Sequence, residues 1–298
     1  MEIISDITPF KESVIGLGFF DGIHKGHEIL IKNVTKLAKK YKLPSILITF
    51  KKSPAEYFNK TVKYITTNEE KLDIISEFGI DYIIELPLAE KTINTSAISF
   101  LENYLIKQLN VKYIVTGFNF TFGKNKEGTS STLKNLQSKL KYNYIEIPAV
   151  KDGDNIISST YIKELLTRGE IEKANTLLYK PFQISGIVQK GDEIGKTLGF
   201  PTANIDYNSS KISIPFGVYA VNVEYDNQIR KGIMNYGIKP TLNKHISEPT
   251  AETHIFNFDK NIYNEKIQVK ILKQIRKEKK FNSINELKLQ IKKDIEKC

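Results

Sequence analysis

The sequence predicts an α/β domain built on a parallel sheet, followed by a β-rich antiparallel domain that ends on a helix. Three observations carry this reading. Apolar runs of strand length alternate with longer helical patterns through the first half. From Tyr179-Lys180-Pro181 onward the runs are short, β-rich and punctuated by Gly, Pro, Asn and Asp. The chain then closes on apolar residues at helical spacing.

Taken in order, Val14–Leu17, Ser45–Phe50, Asp81–Leu86, Lys112–Thr116 and Tyr142–Ile147 read as strands. Lys25–Tyr41, Asn68–Phe78, Thr95–Leu109 and Ser130–Leu140 read as the helices between them, with a capping-box signal at Thr67–Glu70. Such alternation predicts a parallel sheet covered on both faces, with ligands outside the carboxyl ends of its strands. The loops after Leu17 and Thr116 are therefore the places to look. Two short helices, Thr160–Thr167 and Glu170–Leu178, precede the change of character. Beyond it, Phe182–Val188, Val218–Tyr225, Ile229–Asn235, Thr253–Phe258 and Ile267–Ile275 predict an antiparallel barrel or sandwich. Ser283–Glu286 is a second capping-box signal, and Ile284, Leu287, Ile291 and Ile295 form a stripe expected to pack on the barrel. The boundary falls near Leu178–Pro181, giving domains 1–179 and 180–298.

Composition narrows the function classes. At 298 residues both domains can bury a core. No apolar run reaches the roughly 18 residues of a membrane span, and Met1–Asp6 shows no signal-peptide pattern. The one cysteine, Cys298, excludes an internal disulfide and a thiolate metal cluster, so a reducing, cytoplasmic setting is expected. Lys and Arg total 44 against 34 Asp and Glu, a net charge of +10. The cations are scattered through helical patterns, with one dense run at Arg276–Lys280. A solvated surface that attracts nucleotides accounts for this better than a nucleic-acid partner does.

The first chemical constellation is Gly18-Phe19-Phe20-Asp21-Gly22-Ile23-His24-Lys25-Gly26-His27, between a strand and a helix. Backbone N–H groups and the helix dipole favour phosphate there. Two of the chain's four histidines stand three apart in it, able to aim ring N–H donors at phosphate oxygens. As a bare pair they read equally well as capping or packing histidines. The second constellation runs from Gly191 through Gly195, Lys196 and Gly199 to Pro201-Thr202-Ala203-Asn204. Its glycines let a loop wrap phosphates, and Thr202 and Asn204 offer hard oxygen ligands suited to Mg²⁺. The spacing fits neither common phosphate-loop fingerprint, so by itself it reads equally as a Gly-rich hairpin.

The first of these motifs resembles the His-x-Gly-His nucleotidyltransferases and, more narrowly, the adenylyltransferase module of bacterial bifunctional riboflavin kinase/FAD synthetases. Thr116–Gly123 is similar to that family's flavin and nucleotide loop, and Ile157–Thr160 to its phosphate-holding Ser-Ser-Thr segment. Gly-Phe-Pro-Thr-Ala-Asn at 199–204 resembles the riboflavin kinase signature, followed in order by Ile214–Tyr219, Asn235–Thr241, Pro249–His254, Ile262-Tyr263 and Ile275–Phe281. Lys163 stands where the family usually has arginine, and Lys51-Lys52-Ser53 replaces its usual Asp and His.

The resemblance implies a Rossmann-like nucleotidyltransferase domain and a β-barrel kinase domain. It implies riboflavin, FMN and ATP as substrates with Mg²⁺, in a monomer or weak homo-oligomer. Carried over residue by residue, Gly18, Phe19, Asp21, Gly22, His24, His27, Ser158, Ser159, Thr160 and Lys163 would hold ATP for adenylyl transfer. Asn119, Phe122 and Gly123 would line the flavin loop. Gly191, Gly195, Lys196, Thr202 and Asn204 would hold the kinase ATP, the last two near the metal. Glu252 would act as kinase base, with Arg276 near flavin; His24 and His27 would be catalytic in the first half. Two alternatives stay open at this point: a riboflavin kinase with a weakened first half, and a regulatory protein that binds flavin or nucleic acid.

Overall fold

The computed structural model describes residues 1–4, 9–191, 194–238 and 249–298, without the side chains of Ile194 and Lys196. The Asp192-Glu193 part of the Gly-rich loop, Lys239-Pro240-Thr241, His245 and the Lys196 side chain thus lie outside the described residues. Two compact units are present: Met1–Lys63 with Thr67–Tyr161, and Tyr64–Thr66 with Ile162–Cys298. The stretch Ile162–Tyr179, read from the sequence as the end of the first domain, clusters with the second unit. Among the described residues no helix is long and apolar enough to cross a membrane.

The first unit is the expected parallel sheet. Its strands are β1 (Glu2–Ile4), β2 (Ser13–Leu17), β3 (Ser45–Phe50), β4 (Tyr82–Leu86), β5 (Val111–Gly117) and β6 (Asn143–Ile147). They lie in the order β1-β4-β3-β2-β5-β6, every neighbouring pair parallel. β2 and most of β3 are buried, as strands covered on both faces must be. Helix α1 (Lys25–Tyr41) buries Leu30, Ile31, Val34 and Ala38 along one stripe. Helix α2 (Asn68–Ser76) starts on the predicted box: Thr67 Oγ1 accepts from Glu70 N, and the Glu70 carboxylate accepts from Thr67 N. Helix α3 (Ser130–Leu140) also matches the sequence reading.

The expected helix Thr95–Leu109 forms as one helical run, Ala97–Ser99 continuing into π-helical Phe100–Ile106, with Ser99 and Phe100 both in helical geometry at the junction; a separate short helix, Glu90–Asn94, precedes it. Leu101, Leu105 and Leu109 are all fully buried in the core cluster.

The second unit begins within α4 (Ser159–Arg168) and continues through α5 (Ile171–Leu177). Its strands are β7 (Gln183–Ile187), β8 (Ala203–Asp206), β9 (Gly217–Tyr225), β10 (Gln228–Ile238), β11 (Pro249–Ile255) and β12 (Lys266–Lys277). They form an antiparallel sheet in the order β7-β12-β9-β10-β11-β8. A bridge between Gln189 and Asn204 brings its two edges together, so the sheet is a nearly closed barrel. Ala203, Ile205, Met234, Tyr236, Ala251, Thr253 and Val269 are buried along these strands. Tyr64–Thr66 joins this unit: Tyr64 N donates to Ser210 O at 2.8 Å, and the buried Lys211 ammonium donates to Ile65 O at 2.7 Å.

The terminal helix α6 (Ile284–Ile295) differs from the expected apolar docking. Ile284 is 69% exposed and the rest of the stripe only half-buried. The one buried residue of the helix is Asp294, whose carboxylate accepts from Arg276 Nε at 2.7 Å. A charge-assisted hydrogen bond thus ties the helix to β12 where the stripe alone predicted hydrophobic contact.

Candidate functional site

Two sites take shape, one inside each unit. In the first, the chain leaves the carboxyl end of β2 at Leu17 and turns through three positive φ angles, Phe20 (59°), Gly22 (82°) and Ile23 (42°). Burial of Phe20 and Ile23, both fully inaccessible, fixes a backbone that their side chains disfavour. The turn delivers His24 to the N-cap of α1, where its Nδ1 accepts from Gly26 N (3.2 Å) and His27 N (3.4 Å). With Nδ1 an acceptor, the ring proton of neutral His24 sits on Nε2. The His24 and His27 rings stack at 3.7 Å between centroids, and Phe20 packs edge-on to His27 at 5.2 Å.

Burial lowers His24 from 6.5 to about 4 against the opposing pull of Asp21. Burial also holds His27 well below its ordinary value, with His24 adding to the effect. Both rings are therefore neutral at pH 7, and the pair offers hydrogen bonds rather than full positive charge. This has a consequence for stability. A histidine whose folded value is depressed stabilises above its unfolded value and loses that contribution as pH falls. His24 should thus withdraw up to about 3 kcal/mol between pH 6.5 and about 4. Denaturant titrations of wild type and His24→Asn at pH 7 and pH 4.5 should show the smaller acid loss in the variant.

Ser159 Oγ donates to Asp21 O at 2.9 Å, tying the start of α4 to this turn. Ser158 Oγ caps the same helix by accepting from Tyr161 N. Thr160 is exposed. Lys163 lies on the part of α4 that clusters with the second unit, its ammonium over the Tyr64 ring at 5.8 Å.

The expected flavin loop divides into two kinds of residue. Phe122 is 8% exposed and stacks with Phe120 inside the core cluster, so it supports the loop from below. Gly123 has φ +74°, and an added Cβ would lie 2.5 Å from Ala97 N, so the backbone itself requires glycine. Asn119 is exposed on the loop, with Phe118 beside it.

The reading of the residues missed Lys71. It is only 3% exposed on α2, and its ammonium donates to Phe50 O at 2.7 Å, at the carboxyl end of β3. A lysine one turn into a helix normally signals solvent, so the pattern carried no sign of it.

In the second unit, Thr202 immediately precedes β8 and Asn204 is its second residue, so the metal-binding candidates stand at the start of a strand and not in the Gly-rich loop. Asn204 lies opposite Glu252 of β11, and Glu252 lies opposite Asn235 of β10. These three form a polar row across neighbouring strands, each directly opposite the next. All three alternate with buried neighbours and so share the outer barrel face. Gly191 runs so close to this row that an added Cβ would lie 2.3 Å from Asn204 Nδ2. A Cβ on Gly195 would lie 3.4 Å from Thr202 Oγ1. Thr202 Oγ1 and Asn204 Oδ1 are neutral hard donors of the kind Mg²⁺ accepts beside phosphate oxygens. His254, two residues beyond Glu252, bonds through Nδ1 to Pro201 O at 2.8 Å and steadies the Pro201–Asn204 segment. Arg276 is occupied by Asp294 and stacks over Phe281 at 5.5 Å.

Comparison with known proteins finds a separate match for each half of the chain. The family model for FAD synthetase matches residues 7–161, and that for riboflavin kinase matches residues 178–298. A bifunctional riboflavin kinase/FMN adenylyltransferase of Buchnera aphidicola from Schizaphis graminum is 40% identical over 99% of this chain and 97% of its own. Proteins of that description from Bacillus subtilis and Escherichia coli K12 are 38% and 33% identical. They match 95% and 96% of this chain, and 90% and 92% of their own lengths. A solved structure described as a macrolide-efflux protein from Streptococcus pneumoniae matches with a TM-score of 0.87 and 31% identity, covering 99% of this chain and 97% of that one.

Proposed function

The chain belongs to the family of bifunctional riboflavin kinase/FMN adenylyltransferases, and on that premise we propose that it carries out both reactions, each in its own half. The observation that carries the proposal is the presence of two separate phosphate-handling constructions, each assembled within one compact unit.

In the half spanning 180–298, riboflavin and ATP give FMN and ADP. Glu252 accepts the proton of the ribityl 5′-hydroxyl as that oxygen attacks the γ-phosphorus, and the bond to the β-phosphate oxygen breaks. Asn204 and Asn235 flank Glu252 and orient it and the hydroxyl. Backbone N–H groups near Gly191 and Gly195 embrace the phosphates. Thr202 and Asn204 would hold Mg²⁺, which supplies charge neutralisation on the phosphates when bound. Arg276 positions the terminal helix and bears on flavin only through it.

In the first unit, an oxygen of the FMN phosphate attacks the α-phosphorus of a second ATP, and pyrophosphate leaves. The nucleophile is already an anion, so positioning and hydrogen bonding carry the step. His24 Nε2–H, His27, the N-terminus of α1 and the Ser158–Thr160 segment meet the phosphates. Gly18, Phe19, Asp21 and Gly22 shape the nucleotide turn, and exposed Phe118 and Asn119 meet the flavin over a support formed by Phe122 and Gly123. The enzyme acts in the cytoplasm on small-molecule substrates, as a monomer or weak homo-oligomer.

The test is a chromatographic time course with pure protein, riboflavin, ATP and Mg²⁺. FMN should appear first and FAD follow. FMN that accumulates without FAD would reduce the account to the kinase alone, and no flavin turnover would remove it.

A further inference from the structure

A buried lysine is costly unless its ammonium is used, and replacing one by an apolar residue of similar volume often stabilises a protein. Lys71 is 3% exposed and lies at the carboxyl ends of the central strands, where parallel sheets bind ligands. Its Nζ donates to Phe50 O at 2.7 Å and to Thr49 Oγ1 at 3.5 Å, both on β3. Thr49 Oγ1 in turn donates to Phe19 O at 3.1 Å, inside the nucleotide turn. The ammonium also lies 5.2 Å from the centroid of the Phe19 ring, within cation–π range. Two bonds and one ring contact thus converge from a helix onto the turn between β2 and α1.

We infer that Lys71 is a positioning residue for adenylyl transfer: it holds the Phe19–Asp21 turn through Thr49 and places a fixed positive charge beneath it. With His24 and His27 neutral, this ammonium supplies buried positive charge beside the incoming polyphosphate. The inference rests on the proposed assignment of adenylyl transfer to the first half.

The charge is conditional on pH. Burial lowers Lys71 from 10.5 to about 8, against the raising effects of Glu85 on β4 and Asp21 in the turn. Those two carboxylates are the charged groups acting on it, and Phe19, Thr49 and Phe50 supply its other contacts. The cation is therefore present below about pH 8 and lost above it, and FAD formation should fall on that alkaline limb.

The experiment compares wild type, Lys71→Met and Lys71→Arg in the full chain. FMN adenylylation is measured from about pH 6.5 to 9.5, with riboflavin phosphorylation in the same preparations as the measure of the second unit and thermal unfolding of each variant as the measure of the first. Lys71→Met should lower kcat/KM for FAD formation about 10- to 100-fold at pH 7, leave phosphorylation within about twofold, and show no alkaline limb. Lys71→Arg should recover part of the rate and keep it at high pH, because guanidinium stays charged. The inference is overturned if Lys71→Met forms FAD within about twofold of wild type. It is equally overturned if both reactions fall together, or if the alkaline limb persists in either variant. Wild type that forms no FAD from FMN would overturn the functional assignment as well, whereas wild type and Lys71→Met forming it equally would overturn the Lys71 role alone.

Discussion

Glu252→Gln is expected to reduce FMN formation from riboflavin by about 10²- to 10⁴-fold, while FAD formation from supplied FMN stays within about twofold. Glutamine keeps the shape and one acceptor oxygen of the side chain but cannot take up the hydroxyl proton. Its place in the polar row between Asn204 and Asn235 is compatible with a carboxamide, so the barrel should fold and its melting temperature change by only a few degrees. The assay needs two starting points, riboflavin for the first reaction and FMN for the second. A variant that phosphorylates riboflavin at the wild-type rate would remove Glu252 from the chemistry. Loss of both reactions together would point to a folding defect instead.

The second large effect is expected at His24. This residue caps α1 through Nδ1, and in the proposed reaction it presents Nε2–H to the phosphates; the two roles can be separated. Asparagine is a good N-cap, so His24→Asn should keep the helix start but replace the far-reaching ring Nε2–H by a shorter amide that cannot reach the same point. FAD formation should fall about 10²- to 10³-fold in His24→Asn, with riboflavin phosphorylation unchanged. His24→Ala should lose a similar factor in rate and about 1 kcal/mol more in stability, because the cap is also gone. Equal adenylylation in wild type and His24→Asn would show that the ring donates nothing to the reaction.

The fold was legible wherever local pattern and tertiary environment agree. β2, β3 and β5 run as apolar segments, and the capping box at Thr67–Glu70 forms as its spacing requires. The strand–glycine–histidine–helix order points to the first candidate site, because a helix N-terminus after a parallel strand is itself a phosphate-binding element. The polar row of the second site was only half legible. Glu252 was named from resemblance, but its pairing with Asn204 and Asn235 depends on register between strands far apart in sequence. The motifs of Phe122 and Arg276 point to ligand contacts, yet one side chain fills the core and the other pairs with Asp294. In both, a long-range partner decides where the side chain goes. Lys71 shows the limit most clearly, since its burial comes from β3 and the turn after β2, and nothing within its own helix announces it. The same reason hides the entry of Tyr64–Thr66 into the second unit, which rests on backbone bonds to Ser210 and Ile212.

The central claim is that one chain transfers a γ-phosphoryl group to riboflavin and an adenylyl group to the product. Parallel incubations of the pure protein with riboflavin, Mg²⁺ and ATP labelled at either the γ- or the α-phosphorus test it atom by atom. The account predicts that γ-label appears in FMN and persists in FAD, whereas α-label appears in FAD and never in FMN. Alpha-label in FMN, or FAD that carries no α-label, would contradict it.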